Sequence, residues 1–297
     1  MQSPHTLRAT ALATAFILLG GVLQAAEPTT TQPFTAKVTG HGRPMILIPG
    51  LMCSGAVWDA TVEHYKDRYE CHVLTLAGFA GQPPISGAFL ETVRKGIADY
   101  ARAKKLAKPV IIGHSLGGVL VFALGEEEPD LAGALVAVDG VPCLGAVVNE
   151  KIDADGRKKL SELMRGMLEK PGHDGFVAQG KMMLKSGIAD AKFRELVAKW
   201  VEDSDQPTAA RAMGELFALD LRPGLGRIKA PVLLLGAWSK GMESRGMKRE
   251  AVTKRYNDQV AGVPHHRVAV ADNANHFIMF DDPAWMFAQI DDFLAQK

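Results

Sequence analysis

A serine flanked by glycines, in the sequence Gly-His-Ser-Leu-Gly-Gly, most constrains how this 297-residue chain can fold. The β-branched run Val110–Ile112 precedes this motif, and the apolar run Val119–Leu124, which suits a helix, follows it. A serine on a sharp strand-to-helix turn projects its hydroxyl clear of the backbone, and the small neighbours let strand and helix pass closely. The pattern therefore predicts a nucleophile at Ser115; the alternative is a glycine turn that only links a strand to a helix.

Composition and charge narrow the class of protein. Hydrophobic residues make up 47% of the chain, which is enough for a sizeable core, and the formal net charge of +1 gives no indication of a nucleic-acid partner. Cys53, Cys71 and Cys143 include no Cys-x-x-Cys pair, so neither a disulfide scaffold nor a zinc site is expected. Cys71 begins its strand and Cys53 follows the end of a neighbouring one, which excludes a bridge between them.

The first 26 residues have the pattern of a secretory signal peptide. Arg8 precedes the apolar run Ala11–Leu19, and the small residues Ala25 and Ala26 follow. That run is too short to span a membrane comfortably, so we expect no stable membrane insertion after cleavage; an uncleaved interfacial helix is the alternative. Residues 27–33 are then a flexible lead-in, and the mature protein is expected in the periplasm or secreted.

Strand-like and helix-like segments alternate over residues 34–144 and 222–297. Continuous apolar runs without alternation are typical of parallel strands covered on both faces. The strand pattern stops over residues 145–221, where amphipathic stretches predict an inserted helical lid. The predicted strands are Phe34–Val38, Pro44–Ile48, His72–Leu76, Val110–Ile112, Leu135–Val138, Pro231–Leu235 and His266–Val270.

These features resemble the α/β-hydrolases. The resemblance covers nearly everything after Phe34, and its carriers are residues 113–118, the turn Ile48–Leu51 and the late segment Asn275–Phe277. It implies an α/β-hydrolase fold, with a mostly parallel central sheet, helices on both faces and a helical lid inserted after the sixth strand. It also implies that nucleophile, acid and histidine follow in that chain order, so that Ser115 attacks an acyl carbon.

His276 is the candidate base. A serine hydroxyl is a poor nucleophile until a neighbouring base accepts its proton, and histidine suits that role near neutral pH. His276 follows the last predicted strand, at the same sheet edge as Ser115. His114 is expected to pack or hydrogen-bond locally, and surface loops are expected for His173, His265 and His266.

The acid that orients the histidine has two candidates. In the family it commonly follows the strand that is Pro231–Leu235 here, but no carboxylate occurs there before Glu243. Asp139, directly after the preceding strand, is the position used by some relatives. We predict Asp139, with Glu243 as the alternative; Asp139 could otherwise be a simple turn residue.

Backbone N–H groups are the candidate oxyanion hole. Such a hole needs two donors aimed at one point. One donor is expected from Leu116, directly after the nucleophile, and the other from Leu51 or Met52. Serine, base and oxyanion hole suffice for acyl chemistry, so neither a metal nor an organic cofactor is implied.

Apolar residues near the site suggest the substrate. Trp58 and Phe79 are expected near the mouth, and Met164 and Met183 of the lid are candidate pocket residues, although methionine at helical spacing is more often plain core. The sequence thus predicts an exported serine hydrolase that cleaves a small-molecule carboxylic ester with an apolar moiety through an acyl-enzyme. Amide or thioester hydrolysis, acyl transfer, and ligand binding without turnover remain alternatives.

Export gives the first testable prediction. Expression with its own N-terminus in a Gram-negative host should yield a mature protein that begins close to residue 27, because the small residues Ala25 and Ala26 form the expected cleavage site. Intact-mass spectrometry of the periplasmic fraction measures this. A cytosolic protein that retains residues 1–20 would contradict the prediction.

Overall fold

The computed structural model describes Met1, residues 33–244 and residues 246–296, so the predicted signal peptide and most of the lead-in lie outside the described residues. Within the described chain the strands form one seven-stranded sheet. The strands are β1 (Phe34–Gly40), β2 (Arg43–Ile48), β3 (Tyr69–Leu76), β4 (Val110–His114), β5 (Ala134–Val138), β6 (Val232–Ala237) and β7 (His266–Ala271).

The sheet has the order β1-β3-β2-β4-β5-β6-β7. Only β1 runs antiparallel, on the outer side of β3, and every other described pair is parallel. All residues of β4 and β5 are buried, so both faces of the sheet are covered there, as their unbroken apolar sequences predict. Because the central strands are parallel, their carboxyl ends share one edge, and the predicted α/β-hydrolase fold is confirmed.

Helices connect the strands and also form a separate insertion. The α-helices around the sheet are α1 (Asp59–Tyr65), α2 (Phe89–Ala103), α3 (Leu116–Glu127), α9 (Lys240–Glu243), α10 (Arg249–Val260), α11 (Ile278–Asp281) and α12 (Pro283–Ala295). Those of the insertion are α4 (Leu144–Val148), α5 (Ala154–Glu169), α6 (Gly172–Gly187), α7 (Ala191–Glu202) and α8 (Gln206–Ala218). Two short 3-10 helices are Gly55–Trp58 and Arg222–Arg227.

The insertion lies between β5 and β6, so it follows the fifth strand of the sheet. The expectation that it follows the sixth strand was wrong by one, because five strands of the described chain, β1 to β5, precede residue 145. Three of its helices begin at aspartates whose carboxylates accept a backbone N–H of the first turn: Asp153, Asp190 and Asp205. These caps satisfy N–H groups of the first turn, which have no partner within the helix, and so fix where the three amphipathic helices begin.

Hydrogen bonds tie the insertion to the core. The two carboxylate oxygens of Glu215, on α8, accept the backbone N–H groups of Phe89 and Leu90 at 2.8 and 2.7 Å. These are the first residues of α2, whose own N-cap residue provides no side-chain bond. The negative charge of Glu215 lies at the N-terminus of α2, where the helix dipole is positive, and this interaction is stabilising. The insertion therefore caps a helix of the sheet layer.

A second connection joins the insertion to the segment after β7. The Phe277 amide donates to the Gly187 carbonyl at 3.0 Å, and the Ala189 amide donates to Asp281 Oδ1 at 2.9 Å. The Phe193 ring stacks on the Phe280 ring, with centroids 4.2 Å apart. The end of α6 and the start of α7 are thus fixed directly against this segment.

The three cysteines are buried and unpaired. Burial raises the pKa of the Cys53 thiol to about 12 and that of the Cys71 thiol to about 11, so both are protonated. Cys71 lies beside Met45 in the register of β2 and β3, near the start of β2, whereas Cys53 follows the end of that strand. None of the helices in the described residues has the length and apolar character needed to cross a bilayer.

Candidate active site

Ser115 lies on the sharp turn between β4 and α3. Its backbone has φ 54° and ψ −115°, a conformation that costs a residue with a Cβ of order 1–3 kcal/mol. The Ser115 amide donates to the Val138 carbonyl at 2.9 Å, and its carbonyl accepts from the Val119 amide at 3.0 Å. The turn is therefore held from β5 on one side and from α3 on the other, as the strand–serine–helix pattern predicts.

Two glycines are required by close backbone contacts at this turn. A Cβ on Gly113 would lie 2.1 Å from the Gly117 carbonyl oxygen, and a Cβ on Gly117 would lie 2.3 Å from the Ile48 carbonyl oxygen. Backbone atoms cannot move aside as a flexible side chain can. Any larger residue at either position would force the strand and helix apart.

His276 and Asp139 form a hydrogen-bonded pair at the same edge of the sheet. His276 lies beyond the end of β7, and its Nδ1 is 2.6 Å from Asp139 Oδ2. Asp139 directly follows β5, with φ 48°, and its amide donates to the Leu235 carbonyl at 2.7 Å. The sequence thus identified the two residues that the structure brings together.

The other carboxylate oxygen of Asp139 also accepts hydrogen bonds. Oδ1 accepts from the Ala237 amide at 3.2 Å and from the Tyr256 hydroxyl through a short hydrogen bond. Burial, and then the charge of Asp139, raise the pKa of Tyr256 well above its usual value, so the hydroxyl keeps its proton and donates. Sequence reasoning missed Tyr256, since nothing in the helical pattern of residues 249–260 relates it to Asp139.

Glu243, the alternative acid, lies elsewhere. It ends the four-residue helix α9 and is exposed to solvent. Its side chain makes no hydrogen bond or ion pair with any described residue. The geometry therefore favours Asp139 as the partner of His276.

The predicted oxyanion donors lie beside Ser115. Leu116 is the first residue of α3, where an N–H has no partner within the helix. Leu51 and Met52 line a cavity together with Ser115, and Met52 has φ 57° in the turn closed by the Cys53 amide on the Gly50 carbonyl. Gly50 is packed so closely that a Cβ would lie 3.2 Å from Ser115 Cβ. This turn is thus in direct contact with the serine.

Two cavities flank Ser115 and His276. The larger has a volume of about 360 Å³ and includes the predicted pocket residues Met164 and Met183 in its wall. The smaller has a volume of about 260 Å³ and lies on the side of Asp139. The residues that line both are Ser115, Leu144, Phe217 and His276.

Trp58 and Phe79 were wrongly expected at the mouth. Both side chains have 0% exposed surface and belong to the hydrophobic core. The chain after β2 is tied to β3, where the Gly55 amide donates to Thr75 Oγ1 at 2.9 Å, and Trp58 is buried in the core three residues later. Phe79 packs on the Phe89 ring, with centroids 5.1 Å apart. Large apolar side chains next to buried strands gain more from the core than from a solvated rim.

His114 is fully buried beside the pair. Its Nε2 bonds to the backbone carbonyl oxygen of His276 at 2.9 Å, so Nε2 carries the proton. Its Nδ1 has no hydrogen-bond partner among the described residues. Burial, and then the proximity of His276, lower the pKa of His114 well below 6.5. His114 is therefore a neutral donor that fixes the backbone of His276.

Metal binding has no support in this geometry. Within the described part of the chain, no three His, Cys, Asp or Glu side chains are grouped so that they could hold a metal ion. A serine on a strand-to-helix turn, near an imidazole–carboxylate pair, is instead the arrangement of hydrolases that use serine.

Comparisons with known proteins agree that the chain is a hydrolase. A profile described as "Alpha/beta hydrolase family" matches residues 45–289, and the chain belongs to that family as a carboxylesterase-like member. The N-formylmaleamate deformylase of Pseudomonas putida is 24% identical over 261 residues, 86% of this chain and 90% of that protein. The pimeloyl-[acyl-carrier protein] methyl ester esterase of Aliivibrio fischeri is 30% identical over 202 residues, 66% and 75% of the two chains.

A solved structure gives the same result for the fold. The thermophilic esterase from Thermogutta terrifontis, with malate bound, superposes with a TM-score of 0.66. It is 21% identical, and the superposition covers 88% of this chain and 92% of that one.

The acid can be tested by comparing two substitutions. Asp139→Asn should lower kcat by about 10³-fold or more, because it removes the carboxylate that fixes the imidazole. Glu243→Gln is the matched control, and it should stay within about twofold of wild type, as expected for an exposed side chain. Ester turnover is measured for both variants, with circular dichroism to verify folding. If Glu243→Gln lost most of its ester turnover while Asp139→Asn kept nearly the wild-type kcat, Glu243 and not Asp139 would be the acid.

His114 should make the fold sensitive to acid. Because its pKa is lower in the folded than in the unfolded chain, the unfolded chain alone binds a proton just below pH 6.5, and the free energy of unfolding falls as pH decreases there. The contribution reaches about 1.4 kcal/mol per pH unit for one proton and should be lost in His114→Gln. Urea unfolding between pH 7.5 and 5.5, about one unit on either side of that value, measures the slope. His265→Gln, at an exposed position, controls for the loss of a histidine. If the free energy of unfolding of His114→Gln depended on pH as steeply as that of wild type, the acid sensitivity would come from other groups.

Proposed function

We propose that the protein hydrolyses a carboxylic ester that carries an apolar group, through an acyl-enzyme intermediate on Ser115. The observation that carries the proposal is the 2.6 Å hydrogen bond between His276 Nδ1 and Asp139 Oδ2. Because Nδ1 holds the proton of that bond, Nε2 has the lone pair. Ser115 and His276 line the same two cavities, so this nitrogen is available to accept the hydroxyl proton of the serine.

In the first half of the reaction, Ser115 Oγ attacks the ester carbonyl carbon while His276 Nε2 takes its proton. The carboxylate of Asp139 stabilises the imidazolium that forms. The N–H of Leu116, together with that of Leu51 or Met52, donates to the carbonyl oxygen as it becomes negative. The tetrahedral intermediate then expels the alcohol, which receives its proton from His276.

In the second half, water attacks the acyl group on Ser115. His276 again accepts a proton, now from water, and returns it to Ser115 Oγ as the carbon–oxygen bond breaks. The products are the carboxylic acid and the regenerated serine. Apart from the ester and water, every group that these steps use belongs to the chain.

The larger cavity supports an apolar substituent on the substrate. Its wall combines the turn at Leu51 and Met52 with methionines of the insertion, and Met164 and Met183 can adapt to ligands of different shape. We propose that helices α4–α8 act as a lid over this cavity. Export remains part of the proposal, on the N-terminal sequence alone.

The names of the relatives support an order among the candidate reactions. Several are methyl ester esterases, which favours ester hydrolysis. One is a deformylase, so hydrolysis of an amide is the second candidate. Thioester hydrolysis and acyl transfer would use the same residues, and we rank them below ester and amide hydrolysis.

Ser115→Ala tests the proposal. The variant should fold normally and lose ester turnover by several orders of magnitude, because no other group on the chain replaces the nucleophile. Turnover is measured on esters of varied acyl and alcohol length, with amides and thioesters of matched structure. Labelling by a fluorophosphonate should occur on wild type and be absent from Ser115→Ala.

Ser244→Ala is the control for loss of a serine, since Ser244 is exposed at the end of α9. It should keep both labelling and turnover. More than about a tenth of the wild-type rate in folded Ser115→Ala would reject the role of Ser115. Ligand-induced stabilisation of wild type with no turnover of any ester, amide or thioester would instead indicate a binding protein.

A further inference from the structure

The two cavities beside Ser115 differ in charge. Among the described residues that line the larger one there is no Lys, Arg, Asp or Glu. The smaller cavity is also mainly apolar, but Asp139 and Arg255 are among the residues that line it. The difference implies that the two substituents of a bound ester meet different chemical surroundings.

Arg255 has no partner in the described chain. Its Nε is buried without a hydrogen bond, and its guanidinium forms no ion pair with a described carboxylate. Three other arginines do form ion pairs: Arg157 and Arg222 pair with Asp220, and Arg267 pairs with Asp292. A guanidinium is always charged, so leaving one unpaired and partly desolvated is costly.

The carboxylates near Arg255 are already engaged or lie outside the cavity. Asp139 accepts three hydrogen bonds, from His276, Tyr256 and the backbone of Ala237. Asp258 pairs with Lys254. Glu150 and Asp258 line a neighbouring cavity of about 270 Å³ that Arg255 also borders, but neither lies within ion-pair distance of it. No described side chain therefore neutralises the guanidinium on the side of Ser115.

The helix that carries Arg255 is fixed against this cavity. Gln259, one turn further along α10, accepts the Cys143 amide at 3.1 Å and donates to the Cys143 carbonyl at 2.9 Å. Tyr256, the next residue after Arg255, is bonded to Asp139. The position of Arg255 relative to the acid of the site is thus set by the bonds of two residues that follow it on α10, Tyr256 and Gln259.

We propose that Arg255 binds a carboxylate of the substrate, in the smaller cavity, so that the preferred substrates are esters that also carry a free carboxylate. This inference rests on the proposed ester hydrolysis and specifies its substrate class. A carboxylate can pair with the planar guanidinium through two parallel hydrogen bonds, which removes the cost of the unpaired charge. The apolar substituent of the ester then occupies the larger cavity, and the reacting carbonyl lies between the two at Ser115.

The experiment compares charged and neutral esters of matched length. One series has the carboxylate in the acyl part: hexyl monoesters of succinate, adipate and suberate against hexyl butyrate, hexanoate and octanoate. The other has it in the alcohol part: hexanoyl esters of ω-hydroxy acids against hexanoyl esters of the corresponding alkanols. In at least one series, wild type should show a higher kcat/KM for the charged member.

Arg255→Gln should lower kcat/KM for the favoured charged esters by about 10- to 100-fold, the range expected for loss of hydrogen bonds to a charged group. Its kcat/KM for neutral esters should change by less than about threefold, which also verifies that the variant folds. Arg255→Lys keeps the charge without the planar fork and should lie between wild type and Arg255→Gln. Lys254→Gln is the matched control: it removes one positive charge from the preceding residue, whose side chain is 73% exposed.

Three results would overturn the inference. The first is the absence of a preference for charged esters in both series. The second is an equal loss for charged and neutral esters in Arg255→Gln, which would indicate a structural role. The third is a Lys254→Gln effect as large as that of Arg255→Gln, which would indicate a long-range electrostatic effect of positive charge and not a specific bond to Arg255. Wild-type hydrolysis of neutral esters that depends on Ser115 would leave the proposed function intact in each case.

Discussion

The close backbone packing around Ser115 is the constraint on which the site depends. Besides the contacts of Gly113 and Gly117, a Cβ on Gly140 would lie 2.4 Å from the Ser115 carbonyl oxygen, and one on Gly118 would lie 2.8 Å from Gly140 Cα. The ends of β2, β4 and β5 therefore meet with almost no side-chain volume between them. This contact brings the Leu51 turn, the serine and Asp139 to one edge of the sheet.

The same edge contains three residues in a left-handed backbone conformation. Met52, Ser115 and Asp139 have φ between 48° and 57°, although each has a Cβ. Ser115 and Asp139 each directly follow a parallel strand, and their amides donate to the Val138 and Leu235 carbonyls of the neighbouring strands; Met52 lies within the turn that follows β2. Strain of this kind persists only where the surrounding structure over-determines it. The sheet thus supplies the energy that keeps the reactive groups in position before a ligand arrives.

Sequence reasoning succeeded where the signal is local. The strands were found because buried parallel strands are continuous apolar runs. Ser115, Asp139 and His276, which the structure places at one edge of the sheet, were predicted because each follows such a run or its motif. Trp58 and Phe79 were misplaced because a large apolar residue after a strand can turn to either side of the sheet. Only the tertiary contacts of these two residues decide between core and pocket.

Residues whose role depends on distant contacts gave no signal in the sequence. The hydroxyl of Tyr256 reaches Asp139 across 117 positions of the chain, and Arg255 is noteworthy only because its described surroundings lack a partner. The capping of α2 by Glu215 likewise joins residues that are 126 positions apart. Periodicity and composition depend on neighbouring residues only, so contacts between residues far apart in the sequence could not be predicted from them.

The hydrogen bond from the Phe277 amide to the Gly187 carbonyl joins the insertion to the backbone of the site. Gly187 ends a helix of the insertion, and Phe277 is the residue directly after His276. Any movement that lifts the end of α6 away from the core breaks a bond next to the imidazole. The backbone beside His276 is thus joined directly to the insertion, so the position of the end of α6 and that of the imidazole are linked through a single residue.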